Sequence, residues 1–297
     1  MGVKIALGGI AVQEVQELVN PNADPFGLLT PLDRATMDRH ASWLAPHYWN
    51  PEAGTTTIVI RSWLLRTAEH TILIDTCCGN DKPRDFPPAN QLHQPYLDRL
   101  VAAGVRPEEV DFVMCTHLHV DHCGWNTRLE GGRWVPTFPN ARYVIAQAEY
   151  DAWSRAPDDP ARPTPIVGEP AIFRDSVLPV VEAGLAELVD GRFSPVAGLT
   201  IEPAVGHSPG HSLIRAESRG VTGLFVGDAL HHPIQIVEPT VSTRFCTDPA
   251  AATATRRRIM AECAEHSHWL IPAHFADPAL GRIEAKGDGF AFRPGMP

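Results

Sequence analysis

Residues 116–124 read Thr116-His117-Leu118-His119-Val120-Asp121-His122-Cys123-Gly124. Four side chains able to bind a metal, His117, His119, Asp121 and His122, fall within six positions. Neutral imidazole and carboxylate are the donors that borderline divalent metals such as zinc accept. Alternation puts 117, 119 and 121 on one side of an extended segment, and His122 turns in from the start of whatever follows. Crowded at one point, four such groups would repel or desolvate badly unless a cation neutralised them. A solvated histidine-rich turn would match the composition, but not the spacing.

Working outward, three downstream pieces deliver the same donor types. Gly206-His207-Ser208-Pro209-Gly210-His211 is a turn-forming loop that holds a histidine. Leu224-Phe225-Val226-Gly227-Asp228 is an apolar strand ending in an acid, and Leu270-Ile271-Pro272-Ala273-His274 is another ending in a histidine. Each alone reads equally well as a cap or a satisfied polar group. In this order, after residues 116–124, they reinforce one another.

With these pieces in place the chain resembles the metallo-β-lactamase fold superfamily of hydrolases. His117-x-His119-x-Asp121-His122 matches its signature. Asp75, at the end of Thr71-Ile72-Leu73-Ile74-Asp75, matches the family's early aspartate, which supports the histidine loop rather than binding metal. The resemblance runs from about residue 57 to residue 275. It implies an α/β fold, the four-layer αββα sandwich, with the site at the edge where loops of both sheets meet. It implies two divalent metal ions, expected to be Zn2+. One would take His117, His119 and His207, and the other Asp121, His122 and His274. Asp228 would bridge them, along with a water or hydroxide. Asp121 and His231 are the residues given a direct part in catalysis.

Composition bounds the rest. The chain has 297 residues, 44% of them hydrophobic, which suits one domain over 1–297. No run of eighteen apolar residues suggests a spanning helix. The stretch Met1–Leu18 lacks the regions of a signal peptide and reads as a strand, with Val3, Ile5 and Leu7 alternating. Six cysteines (77, 78, 115, 123, 246 and 263) form no spaced framework, so they are expected to be reduced, in a cytoplasmic protein. Cys123 is read as a small residue packed behind the site. A net charge of −10 without a basic stripe argues against nucleic acid. The run Arg256-Arg257-Arg258 is read as a solvated helix face.

Residues 20–56, rich in Pro, Trp and His, read as an irregular segment near the active site, with a short helix over Pro31–His40. Strands are expected at Thr57–Leu65, Thr71–Asp75, Val110–Cys115, Arg142–Ala146 and His268–Ala273, and from Ala186 to Leu230 between turns. Helices are expected at Leu92–Ala103, Glu149–Arg155, Ala171–Ala183 and Pro249–Glu265, the last capped by Thr247 or Asp248. Residues 156–170, with five prolines, read as a loop.

Two metals close together suit attack of hydroxide on a carbonyl or on phosphorus. Departures from related families narrow the choice. Zinc β-lactamases lack a bridging aspartate such as Asp228, and flavodiiron proteins carry a Glu in place of His119. Glyoxalase II enzymes append a helical domain after the last ligand, where this chain has 23 residues. A persulfide dioxygenase would use one iron with two His and an Asp. The chain is most similar to the group of bacterial N-acyl-homoserine lactonases, the quorum-quenching enzymes, and methyl-parathion-type hydrolases. The expected function is a dinuclear hydrolase that opens a lactone or cleaves a small ester by attack of metal-bound hydroxide. Organophosphate triester hydrolysis and a non-catalytic sensor are the alternatives.

One departure matters within that group. The lactonases have a tyrosine three residues after the bridging aspartate, and here that position is His231. It is read either as a donor to the substrate or as a hydrogen-bond partner of a ligand. His211 is expected to be a structural loop histidine, and His232, His266 and His268 to lie outside the site. The substrate is expected to be small, neutral and partly hydrophobic. Phe26, Leu28, Leu29, Trp43 and Trp49 are candidates to line its pocket or to pack on the core. No nucleic-acid or membrane partner is assigned, and a homodimer is left open.

Overall fold

The computed structural model describes residues 2–156, 158–163 and 170–297. Two seven-stranded sheets carry the architecture. The first holds β1 (Lys4–Leu7), β2 (Ile10–Ala23), β3 (Thr56–Arg66), β4 (Thr71–Ile74), β5 (Phe112–Met114), β6 (Arg142–Ala146) and β7 (Ala186–Val189). The second holds β8 (Phe193–Val196), β9 (Leu199–Pro203), β10 (Ser212–Ser218), β11 (Val221–Phe225), β12 (Trp269–Ile271), β13 (Gly281–Lys286) and β14 (Gly289–Pro294). In both sheets spatial order follows chain order.

Connection length decides strand direction. β1 to β4 are antiparallel neighbours, with tight turns between β1 and β2 and between β3 and β4 and the longer connection 24–55 between β2 and β3. β4, β5, β6 and β7 are parallel, because longer crossovers, among them the helices α1 (Tyr96–Ala102) and α2 (Gln147–Trp153), return the chain to the same end. In the second sheet only β11 and β12 are parallel, with the 18-residue α3 (Pro249–His266) between them. Asp248 caps α3 by accepting from Ala250 N–H and Ala251 N–H.

Alternation along the strands builds three apolar layers. Ile72 and Ile74 of β4 join Phe225 and Ile271 in the cluster between the sheets. There Trp63 meets Phe225 edge to face at 6.0 Å. Leu73, one residue out of phase, joins Leu100 of α1 and Trp153 of α2 outside the first sheet. Leu224 and Leu270 join Ile259, Met260 and Cys263 of α3 outside the second. Helices therefore cover the outer face of each sheet, which is the αββα order expected from the motifs.

The parallel pairs place the site. Ile74 lies opposite Met114, and Phe225 opposite Ile271. The chain leaves all four at their C-terminal ends, where loops carry Asp75, residues 116–122, Asp228 and His274. Asp75 takes a left-handed φ of 57° at its turn. That strained conformation aims its carboxylate across to the histidine loop.

Several expectations need correction. Residues 20–56 are not irregular throughout. β2 continues to Ala23, despite Pro21, by pairing Asn20 with Ile58 and Ala23 with Thr56 of β3. The rest folds into short helices at Pro25–Leu28, Arg34–Arg39 and Ala41–Leu44, and into a small strand, Leu29–Thr30, paired with Ser242–Thr243. The helix over 171–183 contains a π-helical stretch, Phe173–Val177. A hairpin, Thr127–Glu130 with Arg133–Pro136, went unread. Arg256 is not on a solvated face. It is fully buried, donating to the carbonyls of Ala229, Pro239 and Val241 in the loop after β11. Of the expected loop over 156–170, residues 157 and 164–169 lie outside the described residues. Among those described, no helix is long and apolar enough to cross a membrane. All six cysteines are free.

Gly124 shows how tightly the histidine loop is seated. A Cβ there would lie 1.8 Å from the carbonyl oxygen of Cys78, which is backbone and cannot turn aside. Gly124→Ala is therefore expected to destabilise the protein by about 3 kcal/mol or more. Urea denaturation measures this, and a loss under about 0.5 kcal/mol would contradict the packing.

Candidate metal centre

His117, His119 and His122 are each 1% exposed, His207 1%, His274 2% and Asp228 4%, so six of the seven donors are almost fully buried. Asp121 is the half-buried member and faces a cavity. Donor atoms converge in two groups, His117, His119, His207 and Asp228 in one, Asp121, His122 and His274 in the other. These are the seven residues expected from the motifs. Asp228 lies between the groups. Its Oδ2 is 3.0 Å from His207 Nε2 and 3.6 Å from His117 Nε2. Its Oδ1 is 2.8 Å from His274 Nε2 and 3.1 Å from His122 Nε2. Asp121 sits 3.6 Å from both His122 Nε2 and His274 Nε2.

This donor set fits metal ions. His207 Nε2 and His119 Nδ1 face each other at 2.9 Å, and His274 Nε2 and His122 Nε2 at 3.3 Å. Donors around a tetrahedral zinc at about 2.0–2.1 Å stand about 3.3 Å apart. His117 Nε2 and Asp228 Oδ1 are buried without a hydrogen-bond partner. Such atoms are costly unless a cation takes their lone pairs.

Burial, then the neighbouring imidazoles, hold His117 and His119 well below the usual histidine range, so both are neutral and free to ligate. Burial would raise the Asp228 carboxyl, but His122, His231, His274 and His207 together outweigh it and hold it well below its ordinary value.

Most rings are aimed by a contact on their far nitrogen. His122 Nδ1 meets Asp75 Oδ2 at 2.9 Å, and Asp75 Oδ1 accepts from Thr116 N–H at 2.7 Å. Asp75 thus supports the loop, as the resemblance implied. His274 Nδ1 donates to the Val59 carbonyl at 2.9 Å. Cys246 Sγ lies 3.5 Å from His207 Nδ1. His211 is structural, as expected: Nδ1 donates to the Ala204 carbonyl, and Nε2 accepts from Asp228 N–H. Burial pushes it down to about 3, which keeps that acceptor unprotonated. Cys123 packs behind the site in the first-sheet core, with its Sγ on the His119 carbonyl.

His231 Nε2 is 2.9 Å from Asp228 Oδ2, and its ring stacks on His274 at 5.2 Å. It also lines the cavity. His232 is buried away from the site, with Nε2 on the Tyr48 carbonyl, and His266 is exposed. The cavity, about 610 Å³, has His119, Asp121, Asp228, His231 and His274 at its floor. Its walls are apolar, with Leu18, Leu28, Ile60, Phe86, Val120 and Phe245. Of the candidates Phe26, Leu28, Leu29, Trp43 and Trp49, only Leu28 lines it, whereas the other four pack on the second-sheet core.

Two buried carboxylates were missed. Glu17 accepts from Cys78 N–H, Gly79 N–H and Trp125 Nε1–H and braces the turn after Asp75. Glu149 accepts from Leu118 N–H and Gly210 N–H, both in ligand loops. Each had been read only as part of a strand or helix, and no local pattern marks either.

A family model described as the metallo-beta-lactamase superfamily matches residues 55–269. An N-acyl homoserine lactonase of Bacillus cereus is 26% identical over 212 residues, 66% of this chain and 72% of that protein. A second, from a Bacillus species, is 24% identical over 172 residues, 53% of this chain and 59% of the relative. Among solved structures, the hydrolase AbOPH of the beta lactamase superfamily superposes with a TM-score of 0.80 at 20% identity, over 99% of this chain and 97% of its own. The dizinc quorum-quenching lactonase AidC, bound to a product, gives 0.79 at 21% identity over the same shares. At these identities the structures speak for the fold.

His207→Ala and His274→Ala are each expected to lower metal content and to cut turnover by more than about 100-fold. His266→Ala and His268→Ala are expected to leave both unchanged. Elemental analysis with activity assays checks this. Equal damage from all four would mean that the wrong histidines have been chosen.

Proposed function

This chain belongs to the metallo-beta-lactamase superfamily, a metal-dependent hydrolase, and we propose that it opens lactones or cleaves small esters with an apolar acyl group. The observation that carries this reading is the seven-donor cluster on the floor of an apolar cavity of about 610 Å³. Lactonase relatives at 24–26% identity support the same substrate class.

We assign one divalent ion, Zn2+, to His117, His119 and His207, and a second to Asp121, His122 and His274, with Asp228 shared. When bound, such a pair supplies a water-derived nucleophile at neutral pH and polarises the carbonyl. The protein's own groups do the rest. The apolar walls around Leu28, Ile60 and Phe245 bind the acyl chain and exclude water from the floor. Asp121, whose carboxylate faces the cavity, takes the proton released as water adds to the carbonyl and returns it to the departing alkoxide oxygen.

His231 holds Asp228. An ionised carboxylate only accepts, so the 2.9 Å contact requires a proton on His231 Nε2. The ring, lying at the cavity floor, also limits how the substrate carbonyl can approach. A histidine here, where the lactonases of the resembled group have tyrosine, favours one second reading, hydrolysis of phosphotriesters.

The zinc-loaded protein is expected to hydrolyse N-acyl-homoserine lactones with kcat/KM of about 10⁴ M⁻¹s⁻¹ or more. That value should rise about tenfold or more from a butanoyl to an octanoyl chain, as apolar carbons are buried. Phosphotriesters turning over faster than every lactone and aryl ester would select the second reading. No turnover of any of them would refute the first as well. His231→Ala should lower turnover about 10–100-fold and weaken metal binding, because Asp228 loses its partner. If neither changes, His231 has no part in the site.

A further inference from the structure

Glu149 opens α2, is 1% exposed, and receives four donors, all of them neutral. Oε1 accepts from Leu118 N–H at 3.0 Å and from Trp153 Nε1–H at 2.6 Å. Oε2 accepts from Ser208 Oγ–H at 2.7 Å and from Gly210 N–H at 2.8 Å. Leu118 stands between His117 and His119, and Ser208 follows His207. One rigid carboxylate therefore spans the two loops that carry the three-histidine half of the site, one oxygen on each. Trp153 adds a third link, since its ring packs edge-on against His119 at 5.4 Å. Gly210 makes the approach feasible. A Cβ there would lie 2.2 Å from Glu149 N, so any side chain would force the loops apart.

The other half has different supports. His122 leans on Asp75, and His274 on the Val59 carbonyl. The four bonds of Glu149 go to Leu118, Trp153, Ser208 and Gly210, and none goes to His122 or His274.

We propose that Glu149 is a positioning residue that sets the spacing of His117, His119 and His207, and thereby the metal affinity of that half alone. The proposal rests on the two-metal reading above. Glu149→Gln tests it at constant volume. The carboxamide must present its NH2 group to one of the two donor pairs, so one loop loses its acceptor whichever way the amide turns.

Metal-free protein is titrated with zinc against a chromophoric chelator, which resolves stepwise affinities. Relative to wild type, Glu149→Gln is expected to weaken one of two zinc equivalents by about 10–100-fold and to leave the other unchanged. In the zinc-saturated variant kcat should fall, with KM within about twofold, because the substrate walls are untouched. Ser208→Ala removes one of the four bonds and is expected to show the same one-sided loss at about fivefold. It decides the matter if Glu149→Gln does not fold. Two unchanged equivalents, or two that weaken in parallel, would overturn the proposal while leaving the two-metal reading intact. A wild-type protein that binds no second ion would overturn both.

Discussion

The Asp228 carboxylate is the contact on which the site turns. One oxygen faces His207 and His117, and the other faces His274 and His122. Imidazole rings from both sheets are thereby brought to one anion, away from water. Without a cation, that arrangement would leave lone pairs opposed at 2.9–3.3 Å and buried acceptors unpaired. Donor geometry of this kind is stable when divalent ions fill it, and costly otherwise. The rest of the fold can be understood as the apparatus that holds these donors still.

That apparatus follows from strand direction. Parallel pairing of β4 with β5 and of β11 with β12 sends four strand ends to one edge. Hydrogen bonds then lock the loops that leave those ends. Asp75 holds the loop after β5, Glu149 joins it to the loop of His207, and His211 and Arg256 fix the segment that carries Asp228 and Ala229. Rigidity at the floor contrasts with the open, apolar walls above it. Chemistry and substrate choice thus rest on different elements, so the walls can vary without disturbing the donors.

Much of this was legible in the chain alone, for physical reasons. Donors at metal spacing, and apolar runs that end in Asp or His, are local patterns, and all seven expected donors converge. Interleaved strands and helices indicated helices packed outside sheets, and the αββα order came from the family resemblance that the motifs carry. What stayed hidden is non-local. Apart from Trp153, four residues after Glu149, the partners of Glu149 and Glu17 lie 31 to 108 residues away, so no local pattern announces them. Arg256 looked solvated beside Arg257 and Arg258, because only the folded loop after β11 supplies its acceptors. The first strand was expected to stop by Leu18, before the Pro-rich segment, yet pairing with β3 carries β2 on to Ala23. His231 was legible as a site residue, while its direction toward Asp228 needed coordinates.

X-ray absorption at the zinc edge, on protein reconstituted with zinc, tests the central claim most directly. The account predicts two ions per chain in a purely nitrogen and oxygen shell at about 2.0–2.1 Å. A sulfur shell at about 2.3 Å, which would bring Cys246 or Cys123 into the ligand set, would contradict it. So would uptake of less than one ion by the folded protein.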